Sequence, residues 1–122
     1  MPKPNASILI VDDDAETATM LARSLARRGY SIDATQSAED ALLRVETHAY
    51  DAALLDLVMP GRDGMALASA LRTRLPLLPI ALLTGYTHSP LLAGAERERI
   101  AVFIKPVVVQ ELVEFLEREI AR

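Results

Sequence analysis

Ser7-Ile8-Leu9-Ile10-Val11 runs without a break into Asp12-Asp13-Asp14. A short, almost continuous run of Ile, Leu and Val fits a strand buried on both faces, as in a parallel sheet. Three carboxylates then end it abruptly. The same figure recurs along the chain: Ala52 to Leu55 ends at Asp56, Ile80 to Leu83 ends at Thr84, and Ile100 to Ile104 ends at Lys105. Tyr30, Ile32 and Ala34 instead alternate with polar residues, as in a half-buried or edge strand.

Between these runs the period changes. Ala18, Leu21, Ala22 and Leu25 recur at the spacing of an amphipathic helix, which Gly29 stops. Ser37-Ala38-Glu39-Asp40 resembles a capping box ahead of a stripe of Ala38, Ala41, Leu42 and Val45. Gly64, Leu67, Ala68 and Leu71 mark a third helix, after a loop with Pro60 and Gly61. Pro90 opens a fourth, and Val109, Leu112, Val113, Leu116 and Ile120 line a fifth. Five strands alternating with five helices predict a doubly wound α/β fold, one parallel sheet with helices on both faces. In such sheets ligands bind outside the carboxyl ends of the strands.

The chain has 122 residues, 51% of them hydrophobic and 25% charged, which suits one globular domain with a core from about residue 7 to 121. Its net charge of −4 argues against direct nucleic-acid binding, which relies on clustered Lys and Arg. With no cysteine, disulfides and thiolate metal sites are excluded. No apolar run approaches the ~20 residues that span a bilayer. The opening Met1-Pro2-Lys3-Pro4-Asn5 lacks the apolar stretch of a secretory signal, so a cytoplasmic location is expected.

Asp12, Asp13, Asp56, Thr84 and Lys105 stand at the ends of four strands, and a parallel sheet would bring those ends to one edge. Carboxylates crowded there repel, and at least one pKa should rise. A hard divalent cation removes the conflict; Mg²⁺ prefers oxygen ligands and keeps several waters, so one or two carboxylates suffice. A lysine beyond the ion can hold a phosphate as a point charge. One aspartate remains as a nucleophile able to form an acyl phosphate.

Taken together, Ile-Leu-Ile-Val-Asp12-Asp13-Asp14, Leu-Leu-Asp56-Leu-Val-Met-Pro60-Gly-Arg-Asp-Gly64, Leu-Leu-Thr84-Gly and Phe-Ile-Lys105-Pro106 resemble the receiver domains of bacterial response regulators. The resemblance runs from about Ser7 to the C-terminus. It implies a flavodoxin-like fold with strand order 2-1-3-4-5, and phosphoryl transfer to Asp56 from the phosphohistidine of a sensor kinase or phosphotransfer protein. It also implies Mg²⁺ bound by the Asp13 and Asp56 carboxylates and the Val58 backbone carbonyl, with Asp12 acting mainly through water. Thr84 and Lys105 would contact the phosphoryl oxygens, and the Lys105–Pro106 bond would be cis. Catalysis would be limited to the domain's own phosphorylation and dephosphorylation. Signalling would pass through the face of the fourth helix, fifth strand and fifth helix, where Phe115, off the core stripe, and Val108 suggest a weak homodimer. Val58 and Tyr86 would flank the path of a hydrolytic water.

Asp14 is the Asp of the triplet best suited to cap the first helix. His48 and His88 are isolated and read as surface residues. Receivers commonly carry an aromatic three residues before the lysine; that position is Val102, and strand alternation turns Phe103 to the other face. Two other readings compete. A docking-only pseudo-receiver would lack a working pocket. A phosphatase of the haloacid dehalogenase type needs two aspartates two residues apart after the first strand, a spacing that Asp12 and Asp14 have, but it leaves the Asp56 loop unexplained.

Overall fold

The structure, a computed structural model, describes residues 5–85 and 89–120. Its strands are β1 (Ser7–Val11), β2 (Ser31–Thr35), β3 (Ala52–Asp56), β4 (Ile80–Thr84) and β5 (Ile100–Ile104). Every pairing is parallel and the order is β2-β1-β3-β4-β5. The two central apolar runs, β3 and β4, are buried throughout. The alternating one, β2, lies at an edge.

The helices are α1 (Ala15–Ala26), α2 (Ala38–Thr47), α3 (Gly64–Arg74) and α4 (Val109–Glu119). Asp14 caps α1, accepting hydrogen bonds from the Glu16 amide and the Thr17 hydroxyl. Ser37 caps α2 by accepting from the Asp40 amide, and Asp63 caps α3 by accepting from the Ala66 amide. Gly29, at φ +96°, turns the chain after α1, a conformation that glycine adopts without a Cβ clash. Two apolar clusters fill the molecule. Leu9, Val11, Leu55, Ile80 and Leu82 pack with α2 and α3 on one face of the sheet. On the other face Ile8, Ile10, Leu54 and Ala81 pack with α1 and α4.

The expected fifth helix is absent among the described residues: the sheet carries four α-helices, and the helix expected to open at Pro90 is a single 3₁₀ turn, Pro90–Leu92. Ser89 caps that turn, but Gly94 at φ +89° leaves the helical region two residues after it ends. One α-turn, from the Glu98 amide to the Gly94 carbonyl, follows before Arg99 reverses the chain at φ +60°. Arg72 on α3 fixes this connection. Its guanidinium donates to the carbonyls of Glu98 (2.9 Å), Arg99 (3.1 Å), Pro76 (3.0 Å) and Leu78 (2.6 Å).

One consequence is visible on β5. Ile100 is covered by the first apolar cluster, but Val102 and Ile104, on the same face by strand alternation, are 37% and 44% exposed. Phe103 points the other way, as expected, and meets Phe115 edge-on with ring centroids 5.5 Å apart. Phe115 therefore does not lie on the surface: it is buried with Leu112 and Leu116, because Phe103 and α1 widen the apolar side of α4 beyond its narrow stripe.

Replacing Arg72 with Met strands several carbonyls that only a forked donor reaches together. Hydrogen bonds to a charged group contribute about 1.5–3 kcal/mol, so R72M should lower unfolding stability by about 2 kcal/mol. Urea denaturation measures this, and amide exchange should accelerate first between Ala95 and Ile100.

Candidate functional site

Parallel pairing carries the carboxyl ends of β1, β3, β4 and β5 to one edge. Asp12 and Asp13 follow β1, Asp56 closes β3, Thr84 closes β4, and Lys105 follows β5. Carboxylate oxygens of Asp12, Asp13 and Asp56 come within 4.8 Å of one another. Asp12 is 3% exposed, Asp56 8% and Thr84 2%, whereas Asp13 faces solvent. Lys105 Nζ donates to Asp56 Oδ1 at 2.9 Å and lies 3.9 Å from Asp12 Oδ2. The Lys105 amide donates to the Thr84 carbonyl at 2.7 Å, and the Lys105–Pro106 peptide bond is cis.

The electrostatics follow from this crowding. Burial pushes the Asp12 carboxyl above the usual range. The Asp14 amide (2.9 Å to Oδ1) and Lys105 oppose that rise, while the charges of Asp56 and Asp13 add to it. Burial alone would lower the Lys105 pKa; the hydrogen bond to Asp56 and the charges of Asp56, Asp12 and Asp13 outweigh it and raise it, so the ammonium stays charged. Three carboxylates against one ammonium leave the pocket acidic. All the clustered donors are hard oxygens, which fits a divalent cation of the magnesium or calcium kind.

The loop after Asp56 is held by a close approach. The Gly64 amide donates to the Leu57 carbonyl at 2.7 Å, and a Cβ at Gly64 would lie 2.2 Å from the Asp56 carbonyl oxygen and 2.8 Å from the Leu57 Cα. Both obstacles are backbone. The start of α3 thus rests directly on the peptide that follows Asp56, and only glycine permits that distance. In the sequence Gly64 reads as a turn former; its spacing from Asp56 is the one signal of this contact.

Val58 is in the exposed loop two residues beyond Asp56. Asp14 is not in the cluster, being engaged at the cap of α1, so the acid pair required for a dehalogenase-type phosphatase does not form. His48 is on the surface, beside Thr47 and stacked on Tyr50. Tyr86 and His88 lie outside the described residues. A cleft of about 690 Å³, lined by Tyr50, Arg74, Leu75 and Leu77 among others, lies by the amino ends of β3 and β4, away from the carboxylates. Among the described residues no helix is long and apolar enough to cross a membrane.

The family model described as the response regulator receiver domain matches residues 8–117. The chain belongs to that family. It is 33% identical over 114 residues to the response regulator protein FleR of Pseudomonas aeruginosa, covering 93% of this chain and 24% of that one. To the DNA-binding transcriptional regulator NtrC of Klebsiella pneumoniae it is 31% identical over 113 residues, covering 92% of this chain and 24% of the relative. The receiver thus spans about a quarter of the length of these two relatives. Among solved structures, the response regulator TrrA of Thermotoga maritima, in complex with Mg²⁺ and BeF, superposes with a TM-score of 0.85 at 30% identity, over 94% of this chain and 99% of that one. A sensor protein from Polaromonas gives 0.86 at 30%, over 95% and 96%. The clustered aspartates are therefore those of a receiver phosphoacceptor site, and the catalysis of such a domain is confined to its own phosphorylation and dephosphorylation. A receiver of this kind generally partners a histidine kinase or phosphotransferase.

The raised Asp12 pKa has a testable sign. The folded chain binds this proton more tightly than the unfolded one, so the stability linked to it is present below the ordinary value of 3.8 and is lost as pH rises through the folded value. At neutral pH without divalent ions, the Asp12 charge therefore destabilises the fold. Asp12→Asn should raise the melting temperature at pH 7 in EDTA, and the gain should vanish near pH 3.

Proposed function

We propose that Asp56 is the phosphoacceptor of this receiver and that it takes its phosphoryl group from the phosphohistidine of a partner kinase or phosphotransfer protein. The observation that carries this reading is the bond from Lys105 to Asp56 inside a cluster of three carboxylates. An Asp56 oxygen forms the new bond to phosphorus while the P–N bond breaks, and its electron pair returns to the imidazole nitrogen. Lys105 then shifts its charge from the carboxylate to a phosphoryl oxygen, and the Thr84 hydroxyl contacts a second. Mg²⁺, held by the Asp13 and Asp56 carboxylates and the Val58 carbonyl, with Asp12 reached through water, would supply the remaining positive charge for the transferring group. The complex of TrrA with Mg²⁺ and BeF supports this ligand class for the related pocket. The whole chain acts in this reading as one receiver domain in the cytoplasm.

Acetyl phosphate with Mg²⁺ should add the mass of one phosphate to the purified chain. Asp56→Asn should abolish the gain, and Lys105→Ala should slow it by at least about tenfold, the scale of losing one electrostatic stabiliser of transferring charge. No gain, under conditions that modify a control receiver, would refute the assignment.

Dimerisation belongs to the same reading. Phe115 is buried and cannot serve as a contact, but Val108, Val102 and Ile104 are exposed on β5 and the entry to α4. We expect a weak homodimer through this side that tightens with beryllofluoride and Mg²⁺. Sedimentation giving the same monomer with and without these ions would remove it.

A further inference from the structure

The main chain that carries Asp12 is pinned from one side by β2. The Asp12 amide donates to the Thr35 carbonyl at 3.1 Å, one step beyond the last paired residues, Val11 and Thr35. β2 is an edge strand, with a ladder to β1 and, among the described residues, none on its other side. Besides that ladder and its packing on α1, polar side chains tie it to α2. Thr35 is buried and donates its hydroxyl to the Asp40 carboxylate in the first turn of α2. One turn further on, Arg44 Nε donates to the same Asp40 oxygen at 2.8 Å. Arg44 Nη1 also bonds Asp33, which is two residues before Thr35 and so on the same face of β2. The Tyr50 hydroxyl donates to the other Asp33 oxygen.

These groups are all committed to their charged or hydrogen-bonded forms at neutral pH. Partial burial works to raise the Asp33 pKa, but the hydrogen bonds from Tyr50 and Arg44 prevail and hold it below the ordinary carboxylate range. The bonds to Thr35 and Arg44 hold Asp40 low as well. Burial, with the bond to Asp33, pushes the Tyr50 hydroxyl up to about 12.

We propose that Thr35, Asp40, Arg44, Asp33 and Tyr50 form one positioning relay that sets the place of Asp12 in the carboxylate cluster. They bolt α2 and the loop after it to β2 at residues 33 and 35, and the Thr35 carbonyl passes that placement to Asp12. Position matters there because Asp12 would hold a water of the octahedral Mg²⁺ shell, and a carboxylate that moves loses its aim at that water. The relay rests on the metal reading of the cluster given above. A purely structural network would hold α2 in place with no bearing on Asp12.

The test compares Thr35→Val, which keeps the shape and removes the hydroxyl, with Thr35→Ser, which keeps the hydroxyl. Mg²⁺ binding is measured by titration calorimetry, and the Asp12 amide resonance by ¹⁵N NMR without metal. T35V should weaken Mg²⁺ binding by about tenfold, the lower end of the effect of disturbing an outer-shell group such as Asp12, and should move the Asp12 amide. T35S should restore both, and Arg44→Met should shift both in the direction of T35V. T35V with Mg²⁺ affinity and Asp12 amide equal to the parent's would overturn the relay, whatever its melting temperature. A parent chain that binds no Mg²⁺ would overturn the metal reading of the cluster, and the Asp12 amide comparison would then decide on the relay by itself.

Discussion

Parallel pairing sends the carboxyl ends of four strands to a single edge, and the acidic residues that end two of them cannot move apart without breaking the sheet. Their mutual repulsion is the constraint around which the rest is arranged. Lys105 arrives from the far strand to meet Asp56. The Asp14 amide turns toward Asp12, and the start of α3 presses on the peptide after Asp56. Each supplies a positive group or a fixed wall to a place where negative charge has been concentrated. Such a pocket is poorly satisfied by its own residues, and that is why it suits a cation and a transferable anion together.

The sheet was readable because its signal is local. Four strands are aliphatic runs with a polar residue at the end, β2 alternates apolar with polar residues, and all five begin and end within a residue of where those patterns place them. Asp12, Asp13, Asp56, Thr84 and Lys105 were readable for the same reason: strand ends are fixed once strands are. The order of the strands came from family resemblance, because pairing is a long-range property.

What escaped the sequence was decided by contacts between distant residues. Pro90 and the helix-forming stretch Ala95-Glu96-Arg97-Glu98 favour a helix locally, yet Gly94 and the guanidinium of Arg72, more than twenty residues upstream, hold turns instead. Phe115 falls outside a stripe drawn from α4 alone and is buried by Phe103 of β5. The capping serine of α2 was legible, but the turn of the Asp40 carboxylate toward Thr35 and Arg44 was not. Nothing in the spacing of Asp33, Arg44 and Tyr50 announces a shared network, because it joins a strand, a helix and a loop.

β5 stands last in the strand order and leaves an edge that another chain's strand could extend. That edge is short, and Pro106 interrupts its row of amide donors soon after Ile104. Its flanks are also of one sign: an antiparallel pairing of two such strands centred on Val102 would set Arg99 against Lys105 at both ends. Apolar five-residue strands with free edges are templates for uncontrolled sheet growth, and natural proteins blunt them with lysine and proline. The lysine that meets Asp56 thus has a second physical role, as a gatekeeper against aggregation at the boundary of the sheet.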